Sequence, residues 1–154
     1  MYDIGKIKKL VENQIEGKDI FLVEVSVKGA NKIHVIIDRK EGIMIDDCVA
    51  LSRFIESNLD REAEDFELEV SSAGITSPFK VERQYEMNIG NEVEVMKKEG
   101  EKISGTLVAF DGKIIEIETK LKKKVEGKKK KQEVIEKQKI EIINIKSIKR
   151  ILSI

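Results

Sequence analysis

The stretch Ser71-Ser72-Ala73-Gly74-Ile75-Thr76-Ser77-Pro78-Phe79-Lys80 divides this sequence into two unlike halves. It holds the only proline of the 154 residues. Its mixture of Gly, Ser and Pro is the chemistry of a stiff, turned connector between domains, or of an ordinary linker. Residues 1–80 carry 11 Lys+Arg against 16 Asp+Glu, a balance of −5, whereas residues 81–154 carry 18 against 13, a balance of +5. The zero net charge of the whole chain is therefore a cancellation. With 40% hydrophobic and 38% charged residues the chain can bury a core. Its length suits one ordinary domain or two small ones of about 75 residues.

Upstream of the connector the periodicity changes four times. Ile4, Ile7, Leu10, Val11 and Ile15 recur at three-and-four spacing, which predicts a helix with one apolar face that ends before Gly17. Phe21, Val23, Val25 and Val27 alternate with Leu22, Glu24, Ser26 and Lys28, and Ile33, Val35 and Ile37 alternate after the turn residues Gly29-Ala30-Asn31. That is a β-hairpin. Asp46 and Asp47 open a second helix, at the end where carboxylates suit the helix dipole, with Cys48, Leu51, Ile55 and Leu59 as its apolar stripe. Phe66, Leu68 and Val70 then alternate as a third strand. The order α-β-β-α-β predicts two helices layered on one face of a three-stranded sheet.

Downstream the pattern is all strand. Val93 and Val95 lead through a Gly100-containing turn to Ile103, Leu107 and Ala109. Asp111-Gly112 signals a two-residue hairpin turn. Ile114, Ile115 and Ile117 precede a basic hairpin tip, then come Val134 to Ile143, a helical turn over Asn144–Ser147 and a last strand from Ile148. Four or five short strands predict a small β-barrel, which leaves no exposed sheet edge. The class expected is α+β: an α/β domain over 1–75, a connector over 76–84 and a barrel over 85–154 with a basic hairpin insertion at 120–132.

The densest chemical signal is Lys120 to Lys131, with eight lysines (Lys120, Lys122, Lys123, Lys124, Lys128, Lys129, Lys130 and Lys131) and one acid, Glu126. Such density attracts phosphate backbones by counterion release. A solvated loop kept soluble by its charge is the plain alternative. Lysine runs lack the arginine forks and aromatic platforms that read bases. Asp60, Glu62, Glu64 and Asp65 have metal-ligand chemistry but not the glycine and oxygen spacing of a calcium loop, so a charged turn is expected. A metal-dependent hydrolase built on these acids lacks its ligand set. His34 is the only histidine and Cys48 the only cysteine, which excludes an intrachain disulfide and counts against most catalytic constellations. His34 reads as a surface residue of a strand, and Cys48 as a small buried thiol. No apolar run approaches the roughly 20 residues of a membrane helix. The first residues lack a signal-peptide core, so a cytoplasmic protein is expected.

Against this background Leu68-Glu69-Val70-Ser71-Ser72-Ala73-Gly74-Ile75-Thr76-Ser77-Pro78 resembles the domain-junction motif of the ribosome maturation factor RimP family. Ser71, Ser72, Gly74 and Pro78 match it. Ala73 stands where that motif has proline, and Thr76-Ser77 where it has Asp-Arg. Ile45-Asp46-Asp47-Cys48 with Ser52-Arg53 is similar to the start of the family's second helix, although Met44 occupies the usual threonine cap. Ile89-Gly90-Asn91-Glu92-Val93, Ser104-Gly105-Thr106-Leu107, and Ile142, Ile145 and Ile148 resemble its second domain. The lysine run is not part of that pattern.

The resemblance implies an SH3-like or Sm-like barrel after the α/β domain. It implies a non-enzymatic, cofactor-free, monomeric factor for assembly of the small (30S) ribosomal subunit. Its partners would be the immature subunit's rRNA and a small-subunit ribosomal protein, with no membrane. The alternative is a protein-interaction adaptor whose barrel binds a peptide, its lysines only solubilising.

Overall fold

The computed structural model describes residues 2–124, 127 and 131–152, with only the backbone described at 121–124 and 131–133. The chain divides into two compact units, Met1–Gly74 and Ile75–Ile154. The division falls inside the Ser71–Lys80 stretch. With it Lys80 passes to the second unit, and the charge balance becomes −6 and +6.

Unit 1 opens with α1 (Ile4–Ile15), capped by the Asp3 carboxylate, which accepts a hydrogen bond from the Gly5 N–H at 3.0 Å. Ile7, Val11 and Ile15 are buried on one face, and Gly17 follows in the left-handed conformation at φ 77°. Strands β1 (Phe21–Lys28) and β2 (Lys32–Asp38) form an antiparallel hairpin. Its turn needs positive φ at both Gly29 and Asn31. The Asn31 side chain also accepts from the Tyr2 N–H and donates to the Asp65 carbonyl, each at 3.0 Å. Helix α2 (Ile45–Ser57) carries the chain over to β3 (Glu67–Ser72), which pairs parallel with β2 in the order β1-β2-β3.

Burial along β1 alternates as expected from Phe21 to Ser26, but its pairing does not. A bulge between Leu22 and Glu24 shifts the register, so Leu22 lies opposite Ile37 and Phe21 opposite Asp38. Val25, Ile33, Val35 and Ile37 share the core with Ile7, Val11, Leu51, Ile55 and Phe66, and Leu22 and Val27 pack against it. Phe21 and Val23 are buried but outside that cluster.

Unit 2 begins with a helix that apolar periodicity did not signal, α3 (Glu82–Met87). Its buried residue is polar: Gln84 Oε1 accepts from the N–H groups of Lys80 and Val81, and the buried Asn88 side chain donates to the Gln84 carbonyl at 2.7 Å. Buried polar groups are stable only when paired in this way. Tyr85 stacks on Phe110 at 4.9 Å and meets Phe79 edge-on at 5.3 Å. Five antiparallel strands follow: β4 (Glu92–Lys97), β5 (Lys102–Phe110), β6 (Ile114–Lys124), β7 (Lys131–Glu141) and β8 (Ile145–Arg150). Val93, Val95, Leu107, Ile115, Ile117, Ile140, Ile145 and Ile148 form their core.

The sheet order is β7-β6-β5-β4-β8. It corrects the expected closed barrel, because among the described residues no ladder joins the edge strands β7 and β8. The helical turn before β8 lies at Ile142–Asn144 rather than Asn144–Ser147, which frees Ile145 to enter the core as the first residue of β8. The Asp111 turn is also one residue longer than its dipeptide signal, connecting Phe110 to Ile114. Asp111 Oδ1 closes it by accepting from the N–H groups of Lys113 and Ile114, both at 2.8 Å. No helix among the described residues is long and apolar enough to cross a membrane.

Candidate nucleic-acid interface

The lysine run lies at the far end of the longest ladder in the molecule. Strands β6 and β7 pair from Ile114↔Glu141 to Lys124↔Lys131. Strand β5 accompanies β6 only as far as Glu118, opposite Thr106. Beyond that point β6 and β7 continue as a two-stranded ribbon. Lys120 is exposed and stands opposite Ile135, itself 55% exposed. Lys122, Lys123 and Lys124 follow on β6, and Lys131 starts β7. Of the eight lysines singled out, Lys128, Lys129 and Lys130 lie outside the described residues. No arginine and no aromatic residue occurs from Ile114 to Glu141, so the ribbon offers charge without arginine forks or aromatic platforms.

The base of the ribbon is fixed by close packing. Gly105 on β5 faces β6 where a Cβ would stand 2.6 Å from the Glu118 carbonyl oxygen and 2.6 Å from Ile117 Cγ2. Glycine is required there by the close approach of the two strands. Thr119 Oγ1 donates to the Ser104 carbonyl at 3.3 Å, among the described residues the last bond from β6 back to β5 before the ribbon leaves the sheet.

The other candidates resolve into structural roles. The acidic Asp60–Asp65 turn clasps Tyr2, whose hydroxyl donates to the carbonyls of Asp60 and Glu64, while the Tyr2 ring meets Phe66 edge-on and the Arg61 guanidinium lies over the Phe66 ring at 4.4 Å. Among the described residues no three His, Cys, Asp or Glu side chains group as metal ligands. Cys48 packs against the unit 1 core, and burial, then the neighbouring Asp47 charge, push its thiol pKa up. That is the opposite of thiolate activation. Asp47 instead accepts from the Met44 N–H at 3.0 Å and receives Arg39 in an ion pair at 3.0 Å, supplying the cap that Met44 lacks.

The junction residues separate into two groups. Ser71 and Ser72 belong to β3, and the Ala73 N–H extends the pairing by donating to the Ile37 carbonyl. The turn itself lies at Ile75–Ser77, between Gly74 and Pro78. Beyond Pro78 the Phe79 N–H donates to the Ile148 carbonyl at 2.8 Å and its ring joins the unit 2 core. Sequence reasoning missed one contact here: His34 Nε2 lies 2.8 Å from Ser71 Oγ, tying β2 to the end of β3. Their shared sheet face was the available signal.

Comparison with known proteins decides the family. The RimP N-terminal domain model matches residues 7–76. A ribosome maturation factor RimP of Porphyromonas gingivalis is 41% identical over 152 residues, covering 99% of this chain and 100% of the relative. The chain belongs to the RimP family. A RimP of Christiangramia forsetii is 41% identical over 116 residues, 75% of each chain, and one of Flavobacterium psychrophilum is 42% identical over 91 residues, 58% of this chain and 59% of the relative. The RimP N-terminal match ends two residues past the Gly74–Ile75 division, so the family's first domain coincides with unit 1.

Proposed function

We propose that this protein is a non-enzymatic maturation factor of the small (30S) ribosomal subunit. It binds the immature subunit through rRNA and a small-subunit ribosomal protein until their own contacts form. The carrying observation is the collinear relationship, over 99% of the chain, with a protein named ribosome maturation factor RimP. The charge division supports a division of labour. The basic unit 2 faces rRNA phosphates through Lys120, Lys122, Lys123, Lys124 and Lys128 to Lys131, whereas the acidic unit 1 meets a basic ribosomal protein, since like charge repels it from bare RNA. In this reading residues 1–75 and 85–154 are the working parts and 76–84 their connector. Unit 2 follows an SH3-like strand plan, opened by the long β6–β7 pair. The protein acts as a cytoplasmic monomer without a cofactor.

Co-sedimentation tests the proposal. The full chain is expected with free small subunits and not with assembled ribosomes. Equal binding to both, or to neither, overturns it. Ribonuclease treatment before capture then separates the modes of contact. Loss of ribosomal partners supports binding through RNA, whereas full retention favours a peptide-binding adaptor.

A further inference from the structure

The charge of the β6–β7 pair changes sign where β5 leaves it. Over Ile114–Thr119 and Glu136–Glu141, the part inside or beside the sheet, two lysines (Lys137 and Lys139) stand against four glutamates (Glu116, Glu118, Glu136 and Glu141). The register sets Glu118 opposite Lys137 and Glu116 opposite Lys139, pairings that offset each lysine locally. Over Lys120–Lys124 and Lys131–Ile135, the part that runs on alone, five lysines stand against the single acid Glu133. A polyanion is therefore attracted to the free ribbon and repelled at its base.

We infer that the free ribbon, Lys120–Lys124 with Lys131–Ile135, lies in an RNA groove, and that the acids at its base keep RNA off the sheet. The inference rests on the RNA-binding reading above and names the kind of RNA. A two-stranded ribbon is wide enough to need a broad groove; a B-form major groove of about 12 Å admits one. The deep groove of regular A-form RNA is too narrow for such an element. Single-stranded RNA is bound by stacking on aromatic side chains, which the ribbon lacks. The remaining fit is a duplex whose deep groove is opened by a bulge or internal loop. From Lys120 to Lys124 the strand advances about 14 Å at roughly 3.4 Å per residue, enough to pass between the two phosphate walls of such an opening.

The test uses the full chain and three RNA probes of equal length: a hairpin with a central internal loop, the same hairpin fully paired, and an unstructured strand. Binding is expected to be tightest to the interrupted hairpin and weakest to the single strand. Joint Lys120→Gln, Lys122→Gln and Lys124→Gln substitution is expected to weaken it about tenfold or more and to lower the logarithmic salt slope by roughly 2 to 3. Lys→Arg at the same positions is expected to retain binding, and a circular-dichroism spectrum of the Gln variant matching that of the unaltered chain excludes a folding defect as the cause. Lys137→Gln with Lys139→Gln is expected to change affinity by less than about twofold, because those charges are already offset. Preference for the single strand, or an equal loss from the Lys137 and Lys139 pair, overturns the inference. If those results come from protein that still co-sediments with small subunits, the inference alone fails. If the unaltered chain does not co-sediment, the functional reading fails with it.

Discussion

In unit 1 the three-stranded sheet is layered with α1 and α2 around a single core, whereas in unit 2 the two longest strands leave their neighbours and run on as a pair. The two units place their charge accordingly. Unit 1 spreads its acids over helices, strands and turns, where Asp3 and Asp47 cap helices and the Asp60–Asp65 turn clasps Tyr2. Unit 2 gathers lysines on a ribbon none of whose described residues belongs to its core cluster. A two-stranded element standing away from its sheet contributes little to stability. Substitutions in the ribbon should therefore change binding, and substitutions in the cores should change folding. The difference teaches where to look for function: in the segment whose conformation the core does not demand.

The largest effect expected is on the unit 1 side. Ile55 on α2 is 0% exposed and packs among Ile7, Val11, Val35 and Ile37 in one cluster. Ile55→Ala should cost about 2–5 kcal/mol, the loss of a buried side chain plus the cavity it leaves. Denaturant unfolding monitored by circular dichroism measures it. A loss below about 1 kcal/mol would mean that α2 is not fixed on the sheet as described.

Gly105→Ala carries the comparison to the root of the ribbon. The backbone there is not in the left-handed region, so the obstacle is space alone. The new Cβ would meet the Glu118 carbonyl and Ile117 Cγ2 at 2.6 Å, and neither is the end of a flexible side chain. Relief requires β5 and β6 to part where Thr106 pairs with Glu118. Overpacking of this kind costs about 1–3 kcal/mol. Amide exchange should show the opening first at Glu118–Lys120. Protection unchanged there, with stability unchanged, would place the strands farther apart than the structure has them.

Most of unit 1 was legible because each element has one period: three-and-four spacing for Ile4 to Ile15, and two for Ile33 to Ile37. Its exception, the bulge at Leu22–Glu24, is invisible in a run where both alternating sets contain apolar residues. In unit 2 the buried isoleucines of β6 and β8 stood out, but α3 did not. Six residues make less than two turns, and its buried position is Gln84, whose burial depends on backbone donors that no local pattern announces. The open sheet was missed because alternation fixes which face is buried and says nothing of which edges meet. The lysines were obvious. Where β5 stops beside them was not, and that boundary marks where the lysines leave the sheet.

The smallest effect contrasts one carboxylate from each unit. Asp38, at the end of β2, is buried, and desolvation raises its pKa against the opposing pull of the Arg39 N–H that it accepts at 2.8 Å. Asp111, in the β5–β6 turn, has its pKa lowered chiefly by the Lys113 and Ile114 N–H groups that it accepts. The signs follow from linkage. A raised carboxylate favours folding most below its unfolded value, near pH 4, and that share is lost as pH rises through the folded value. A lowered carboxylate contributes fully above about pH 4, and its share is lost as pH falls through the folded value. Acidification from neutrality should thus tighten the end of β2 in unit 1 while loosening the Asp111 turn in unit 2. Carboxyl-carbon titration by NMR on the full chain should place Asp38 above and Asp111 below the ordinary aspartate value. Asp111→Asn keeps both accepted hydrogen bonds and should remove only the acid sensitivity of the turn. An Asp111 titration at or above the ordinary value would show that its oxygen does not hold the two N–H groups, and the turn that launches β6 would then need another closure.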